Sequence, residues 1–179
     1  SFALVKHNRM KLILINGSTC AGKSTLVKAV LKQRERLYYL SYDALKWGFS
    51  QYNPKVHGGD VVTVMSAVAE CVFTLKYNII CDSVMIREHR EHLMTLAKTN
   101  EYEVVEVNIE ASYDVLLKRF DERVARAKAD PTIRISNLSQ DRFRELYEIY
   151  EAGKNPEAPT IRTDEQSVDE NIASLLKYI

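Results

Sequence analysis

The chain has 179 residues, of which 46% are hydrophobic and 27% are charged, and its formal net charge is +1 at pH 7. This balance is typical of a folded globular protein, and the small net charge argues against a protein whose main task is to coat nucleic acid. No apolar run approaches the roughly 20 residues that a membrane-spanning helix needs, so we expect no membrane partner. Cys20, Cys71 and Cys81 show neither paired nor metal-type spacing, which favours a reducing cytoplasm, and we expect Cys71 and Cys81 in the core.

Short apolar runs alternate with longer helical periods along the chain. Residues 11–16 are predicted to form a fully buried strand, residues 23–34 a helix, and residues 37–41 a second strand. An Asn-Pro and a Gly-Gly dipeptide then interrupt the pattern. Asp60 is expected to cap the next helix, whose apolar stripe runs to Leu75.

The second half of the chain continues the same alternation. Its predicted elements are, in chain order, a strand at 77–82, a helix at 87–98, a strand at 103–109, helices capped by Ser112 and Ser139, a short strand within 156–163 and a helix at 168–179. Strands separated by helices of this length predict a parallel sheet with helices on both faces. We therefore expect one α/β domain at 10–179, preceded by an N-terminal extension at 1–9.

One segment between the first strand and the first helix carries a phosphate-binding pattern. It matches G-x-x-x-x-G-K-[ST] at every fixed position, with the residues Gly17, Ser18, Thr19, Cys20, Ala21, Gly22, Lys23 and Ser24. The glycines let consecutive N–H groups point into one concavity that holds an anion, and the following helix adds the positive end of its dipole. The motif predicts that Lys23 reaches the β- and γ-phosphates of a nucleoside triphosphate and that Ser24 ligates Mg²⁺, with Thr25 also at the nucleotide.

Two aspartates follow predicted strands, at the sheet edge where ligands of open parallel sheets bind. Asp43 comes after the second strand and Asp82 ends the third. Phosphoryl transfer needs one carboxylate near the acceptor hydroxyl and another near the metal. We assign Asp43 to the acceptor and Asp82 to Mg²⁺. A helix N-cap role for Asp43, a turn-forming role for Asp82, and an exchange of the two functions all stay open.

Three arginines share one face of the helix after the fourth strand. Arg119, Arg123 and Arg126 are spaced i, i+4 and i+7, and the helix leads into a plausible hinge, so we expect a lid at about 119–142. Guanidinium groups carried by a closing lid would neutralise charge that develops on the transferred phosphoryl group. The alternative is a solvated helix face whose arginines pair with acids of the same helix.

The acceptor side is less well marked in the sequence. Lys46 and Arg87 follow the two aspartates and could line an acceptor pocket, although a charged helix start is ordinary. Aromatic residues near Trp47 either wall that pocket or pack in the core. No histidine has a second ligand at metal spacing, so we expect no transition-metal site.

Residues 13–24, together with the two aspartates, the arginine-bearing helix and residues 163–167, resemble the chloramphenicol phosphotransferase-like P-loop kinases. These small AAA-type kinases are related to zeta toxins and to the kinase domain of polynucleotide kinases. The resemblance implies a P-loop NTPase three-layer sandwich, with a five-stranded parallel sheet of order 2-3-1-4-5 and a small helical lid. It also implies that Asp43 is the base and that the segment with Thr163 and Gln166 borders the adenine. The acceptor region at 46–59 matches no member of the family.

The sequence therefore predicts an ATP-dependent phosphotransferase that moves the γ-phosphoryl group to a hydroxyl of a small-molecule acceptor. Its cofactors would be ATP and Mg²⁺, and it would act in the cytoplasm as a monomer or homodimer. One alternative is a kinase of a nucleic-acid 5′-hydroxyl or of a nucleotide, for which only Lys46, Lys55 and Arg87 offer local positive charge. The other is a nucleotide-dependent switch or ATPase without an acceptor, against which Asp43 argues.

Overall fold

The computed structural model describes residues 9–82, 87–135 and 139–179, without the side chains of residues 87 and 88. Within these ranges strands and helices alternate as the sequence predicts. The strands are β1 (Lys11–Asn16), β2 (Leu37–Leu40), β3 (Asn78–Cys81), β4 (Glu103–Glu110) and β5 (Thr160–Arg162). The helices are α1 (Lys23–Leu31), α2 (Tyr42–Lys46), α3 (Pro54–Thr74), α4 (Arg87–Thr99), α5 (Tyr113–Ala129), α6 (Gln140–Gly153) and α7 (Val168–Leu176).

The five strands form one parallel sheet in the order β2-β3-β1-β4-β5. β1 lies in the middle, where Ile13 pairs with Ile80 of β3 and with Val105 of β4. Both neighbours run parallel to it, so every connection is a crossover that passes over a face of the sheet. The predicted α/β class and the strand order 2-3-1-4-5 are confirmed.

The alternation of side chains along β1 divides the interior into two cores. Ile13 and Ile15 face a core that contains Leu26 of α1 and Phe120 of α5, together with residues of α6 and α7. Leu12 and its neighbours on the other face meet α3 and α4. Because β1 is covered on both faces, its sequence is an almost continuous apolar run, as in other buried parallel strands.

α3 begins earlier than the sequence predicts. The side chain of Asn53 accepts a hydrogen bond from the backbone N–H of Lys55 at 2.9 Å, and Pro54 occupies the first helical position. Asp60 therefore lies inside the helix, and its predicted role as the cap is wrong. The Asn-Pro pair is itself a strong start signal, which outweighs the cost of about 1 kcal/mol for each glycine within the helix.

α3 leaves one apolar face uncovered. Val61 and Met65 are buried against the sheet, whereas Val64 is 39% exposed and Leu75 is 63% exposed. Cys71 lies on the outer face and is exposed, so its predicted core position is wrong, while Cys81 is buried as expected. Among the described residues α3 is the one helix long and apolar enough to cross a membrane by length and composition. The core helix of a soluble protein meets the same test, so this is weak evidence for a membrane location.

Helix ends follow the expected capping chemistry in most places. Ser139 caps α6, where its side chain accepts from the N–H of Arg142 at 3.2 Å. α7 starts with a capping box between Ser167 and Glu170. Ser112 stands at the N-cap of α5, as predicted, but its side chain makes no capping bond.

Candidate functional site

The phosphate-binding loop joins β1 to α1, and its backbone requires glycine at two positions. A Cβ on Gly17 would lie 2.4 Å from the carbonyl oxygen of Ile109, closer than real Cβ contacts come. Gly22 has φ +97°, in the left-handed region that favours glycine, and it forms the N-cap of α1. Cys20 also has positive φ, at 65°. The loop is thus held against β4 at one end and turned into α1 at the other.

Lys23 folds back into this loop from the start of α1. Its ammonium group donates hydrogen bonds to the carbonyl oxygens of Gly17 at 2.7 Å and Ser18 at 2.8 Å. Burial of the ammonium group lowers the pKa of Lys23 to about 8. The group therefore still carries a positive charge at pH 7, beside the backbone that is expected to hold phosphates.

Three charged side chains from other parts of the chain act on the charge of this ammonium group. The carboxylates of Asp82 and Asp43 raise the pKa of Lys23 and so oppose the effect of burial, whereas the guanidinium group of Arg123 lowers it further. The structure thus brings Asp43, Asp82 and Arg123 close enough to Lys23 to interact with its charge. All three were predicted as site residues.

Asp82 links the first turn of α1 to β2. The hydroxyl of Ser24 donates to Asp82 Oδ2 at 2.5 Å, and the hydroxyl of Tyr39 donates to the same oxygen at 2.6 Å. Burial and the bond to Asp82 raise the pKa of Tyr39. Hydroxyl and carboxylate oxygens are the hard ligands that Mg²⁺ prefers, and this ion takes few protein ligands. The oxygens of Ser24 and Asp82 therefore fit a magnesium ion that is shared with phosphates and water.

Asp43 lies in the first turn of α2, beyond the carboxyl end of β2. Ser41 is the N-cap of this helix, where its side chain accepts from the N–H of Ala44 at 3.3 Å. The N-cap role that the sequence left open for Asp43 is thereby taken by Ser41. Asp43 Oδ1 forms an ion pair with the buried ammonium group of Lys46, which also lies 4.9 Å from the centroid of the Trp47 ring. The side chain of Asp43 is 67% exposed, so its carboxylate remains accessible.

Half-buried aromatic side chains form a small cluster next to Asp43. The rings of Trp47 and Tyr52 meet edge to face at 5.9 Å, and those of Phe49 and His57 lie 5.7 Å apart. The hydroxyls of Tyr42 and Tyr52 are hydrogen-bonded at 3.0 Å. These rings join α2 to the start of α3 and keep part of their surface exposed, as the wall of a pocket would.

Arg119 and Thr163 hold the side of the loop that faces away from Asp82. Arg119 donates to the Thr163 hydroxyl at 2.9 Å, to the Thr163 carbonyl at 3.1 Å and to the Cys20 carbonyl at 3.5 Å. The Thr163 hydroxyl donates in turn to the carbonyl of Ala21 at 3.0 Å. Both residues were predicted at the nucleotide, and the structure places both against the loop.

Other predicted residues lie farther out. Arg126 is exposed, and its Nε donates to the carbonyl of Glu122 in its own helix at 3.4 Å. Gln166 is exposed, and its carbonyl accepts from the side chain of Asn171 at 3.3 Å. Arg87 begins α4, and its side chain lies outside the described residues.

Tyr39 is the site residue that sequence reasoning missed. It lies in β2, where Tyr39 pairs with Ile80, so its hydroxyl reaches the end of the neighbouring strand β3 and the carboxylate of Asp82 there. A tyrosine hydroxyl near the carboxyl end of a predicted strand is the one sequence signal that could have identified Tyr39 as a site residue. Of the remaining loop residues, Ser18 is buried, Thr19 is half-buried, and Thr25 is exposed in the first turn of α1.

Comparisons with known proteins agree with this architecture. A family model described as an AAA domain matches residues 12–146. Among solved structures, a protein of Chloroflexus aurantiacus that was proposed to be a kinase superposes with a TM-score of 0.71, with 20% identity over 96% of this chain and 99% of that one. The APS kinase of Mycobacterium tuberculosis, in complex with AMPPNP and APS, gives a TM-score of 0.64, with 17% identity over 94% and 96% of the two chains.

A third structural relative is part of an RNA repair complex. A chain of the Pnkp1/Rnl/Hen1 RNA repair complex gives a TM-score of 0.66, with 15% identity over 85% of this chain and 47% of that chain. None of the curated proteins compared matches the chain. At these identities the solved structures show a shared fold, and the fold alone does not settle the reaction.

Proposed function

The chain belongs to the AAA domain family, and from that premise we propose that it is an ATP-dependent phosphotransferase with a hydroxyl-bearing small molecule as acceptor. The observation that carries this proposal is the arrangement around Lys23. Its ammonium group lies in the phosphate-binding loop, the bonded pair of Ser24 and Asp82 lies on one side, and the carboxylate of Asp43 acts on the same charge. Phosphoryl transfer needs these parts together.

The loop would bind the triphosphate through its backbone N–H groups and the positive end of α1. Lys23 would pair with the β- and γ-phosphates, a contact for which its charge at pH 7 suits it. Arg119 and Thr163 would border the base side of the nucleotide, because they already contact the outer side of the loop. Gln166 is proposed in the same segment.

The oxygens of Ser24 and Asp82 would hold Mg²⁺. When bound, this ion neutralises charge on the β- and γ-phosphate oxygens. The hydroxyl of Tyr39 fixes the orientation of the Asp82 carboxylate, because it donates to Oδ2. A carboxylate that is held in place needs little reorganisation when its ligand arrives.

Asp43 would act as the general base. Its Oδ1 is paired with Lys46, which leaves Oδ2 to accept the proton of the acceptor hydroxyl. Lys46 fixes the orientation of the carboxylate, and we propose that Lys46 and Arg87 also contact the acceptor. The exposed parts of the aromatic cluster would exclude water from this side of the site.

The arginines of α5 would stabilise charge on the transferred group. The guanidinium group of Arg123 lowers the pKa of Lys23, so its positive charge acts at the loop where the phosphates would bind. Arg126 lies one turn farther along α5 and would need a movement of the lid to reach them.

The test is to incubate the protein with γ-labelled ATP, Mg²⁺ and a mixed panel of acceptors that includes sugars, nucleosides, hydroxylated antibiotics and a 5′-hydroxyl oligonucleotide. We expect label on a small molecule. Label on the oligonucleotide alone would replace the proposed acceptor class with nucleic acid. Label only in free phosphate, at a rate that the panel does not change, would contradict a kinase and favour a switch or ATPase.

A kinase of nucleic-acid 5′-hydroxyls is the second candidate, because the RNA repair complex shares the fold. The charge near Asp43 argues against it. Lys46, one of the local cations, is buried and paired with Asp43, which weakens its attraction for a phosphate backbone. We place the reaction in the cytoplasm, since all three cysteines are free thiols.

A further inference from the structure

Arg134 contacts the aromatic cluster beside Asp43. Its guanidinium carbon lies 5.9 Å from the centroid of the Trp47 ring, within the range of a cation–π contact. Arg134 follows the end of α5 in the predicted lid, whereas Trp47 is the C-cap residue of α2. The contact therefore joins the lid to the acceptor side of the proposed transfer site.

Trp47 and Asp43 lie on the same face of α2. They are four residues apart, a spacing that places side chains next to each other on a helix. The ammonium group of Lys46 connects them, because it pairs with Asp43 and lies 4.9 Å from the centroid of the Trp47 ring. A ligand group that Arg134 binds at Trp47 would thus lie beside the proposed base.

The turn before Arg134 is held by its own hydrogen bonds. The carboxylate of Asp130 accepts from the N–H and the hydroxyl of Thr132 at 2.9 and 2.7 Å, and the carbonyl of Asp130 accepts from the N–H of Ile133 at 3.1 Å. The backbone thus leads Arg134 away from α5 in a defined direction, and the ring of Trp47 contacts the far end of its side chain.

The contact with Trp47 leaves the hydrogen-bond donors of Arg134 available. Within the described ranges Arg134 is exposed and makes neither a hydrogen bond nor an ion pair. A cation–π contact acts through the charge of the guanidinium group and not through its N–H groups. These N–H groups form a planar fork that matches the two oxygens of a carboxylate or of a phosphate.

The charges near the cluster indicate the kind of ligand. Lys46 is paired with Asp43, whereas the charge of Arg134 has no carboxylate partner among the described residues. One guanidinium group suits one anionic group, and a nucleic-acid backbone would require a row of cations. We propose that the acceptor is a small hydroxylated anion, whose carboxylate or phosphate binds Arg134 while its hydroxyl faces Asp43.

This inference rests on the proposed function and names the class of its acceptor. The hydroxyl oxygen of the acceptor forms a bond to the γ-phosphorus of ATP, the bond from that phosphorus to the β–γ bridging oxygen breaks, and ADP leaves with the electron pair. The hydroxyl proton passes to Asp43. Arg134 takes no part in these bonds and instead selects and orients the acceptor, so that it determines specificity.

The emission of Trp47 provides a binding test, because Trp47 is the single tryptophan of the chain. We would saturate the phosphate-binding loop with AMPPNP and Mg²⁺ and then titrate the protein with inorganic phosphate at constant ionic strength. We expect a saturable change in emission, because an anion on Arg134 alters the electric field at the ring. The readout requires no phosphoryl transfer.

Two variants assign this signal. Arg134→Ala should bind phosphate at least about ten-fold more weakly, the effect of losing charge-assisted hydrogen bonds. Arg142→Ala is the matched control and should bind phosphate like the wild type, because Arg142 is exposed and paired with Glu145 on the surface of α6. The dependence on Arg134 also separates this site from the phosphate-binding loop.

The label-transfer assay tests the acceptor class with two matched sets, which are glycerol, glycerate and glycerol 3-phosphate, and ribose, ribonate and ribose 5-phosphate. We expect label on the charged members. Arg134→Ala should raise KM for these acceptors by about ten-fold with a smaller change in kcat, because it weakens binding more than chemistry. Label on carboxylates alone would assign a carboxylate to Arg134, and label on phosphates alone would assign a phosphate.

Two results would overturn the proposal. One is a phosphate titration that leaves the emission of Trp47 unchanged, or changes it equally in the wild type and in Arg134→Ala. The other is preferential transfer of label to the neutral compounds, which would leave the kinase reaction itself standing. Absence of transfer to every acceptor would instead contradict the proposed function, and the phosphate titration would still decide whether Arg134 binds an anion.

Discussion

At the scale of single residues, Asp82 joins the first turn of α1 to β2 within the candidate site. One of its oxygens accepts from two hydroxyls, those of Ser24 and Tyr39, at 2.5 and 2.6 Å. Only 7% of Asp82 is exposed, so these bonds replace water that the carboxylate would otherwise bind. Hydrogen bonds to an ionised group contribute more to stability than neutral ones do. The same bonds orient the carboxylate for Mg²⁺.

Removal of the Tyr39 hydroxyl should measure this contribution. We expect Tyr39→Phe to lower the free energy of unfolding by about 1.5 kcal/mol or more, as for other bonds to charged groups. Tyr38→Phe is the matched control, because Tyr38 is the next residue in β2, lies on the other face and is 37% exposed. Urea denaturation of the two variants gives the comparison. Equal stability of the two variants would mean that the bond to Asp82 contributes nothing.

At the scale of elements, the structure has two features that the sequence did not predict, a continuous α3 and a contact between the turn after β5 and the start of α5. α3 runs without a break through two glycines that the sequence suggested as an interruption. The turn after β5 is tied to the start of α5, where the carboxylate of Asp164 accepts from the N–H of Ser112 at 2.7 Å. Each of these features leads to a stability measurement with a defined sign.

The continuity of α3 can be tested at Gly59. Alanine within a helix is more stable than glycine by about 0.5–1 kcal/mol, and a Cβ at Gly59 would meet no atom within 4 Å. Gly59→Ala should therefore raise the free energy of unfolding by about that amount. Gly17→Ala is the contrasting variant, since its Cβ would collide with the Ile109 carbonyl. A loss of stability in Gly59→Ala would show that the backbone there is not helical.

The bond from Ser112 to Asp164 should make stability depend on pH at the acid end. The N–H of Ser112 holds the pKa of Asp164 below its usual value of 3.8. A carboxyl group with a lowered pKa stabilises the fold fully above its unfolded pKa, and this contribution disappears as the pH falls through the folded value. The difference in melting temperature between the wild type and Asp164→Asn should therefore be largest well above the usual pKa of 3.8 and should shrink as the pH falls below it.

Asp60→Asn serves as the control for that series, because Asp60 is exposed in the middle of α3. Its melting temperature should follow that of the wild type across the same pH range. A difference for Asp164→Asn that stays constant across the acid range would mean that the contribution of Asp164 does not depend on the charge of its carboxylate.

At the scale of the whole molecule, the strand order places the residues of the candidate site along one edge of the sheet. The two aspartates follow β2 and β3, the phosphate-binding loop follows β1, and Thr163 follows β5. An acceptor and a nucleotide would thus approach the loop from opposite sides.

Much of this arrangement follows from local sequence. The pattern at 17–24 specifies its own backbone, and the apolar run of β1 specifies a strand that is buried on both faces. The pairing of Lys46 with Asp43 and the bond of Tyr39 to Asp82 depend on how α2 and β2 are placed by packing, so no local pattern predicts them. The start of α3 was predicted wrongly for a different reason. Two helix-start signals compete there, the Asn53-Pro54 pair and Asp60, and the structure uses the first.

The division between nucleotide side and acceptor side leads to the last prediction. Asp43→Asn should bind AMPPNP with unchanged affinity but lower transfer to the acceptor by about 10²-fold or more, as loss of a general base does. Lys23→Ala should lose both AMPPNP binding and transfer, because the ammonium group lies in the phosphate-binding loop itself. Calorimetry with AMPPNP and the label-transfer assay separate the two effects. Transfer at the wild-type rate in Asp43→Asn would contradict the role of Asp43 as base.

One structural side effect has to be separated from this chemistry. Asp43→Asn removes the carboxylate that pairs with the buried ammonium group of Lys46, and breaking a buried ion pair destabilises the fold. The double variant Asp43→Asn with Lys46→Met removes that charge as well, so it should recover the stability of the fold while transfer stays low. Recovery of transfer together with stability would show that Asp43 acts only by holding Lys46, and the acceptor proton would then need another base.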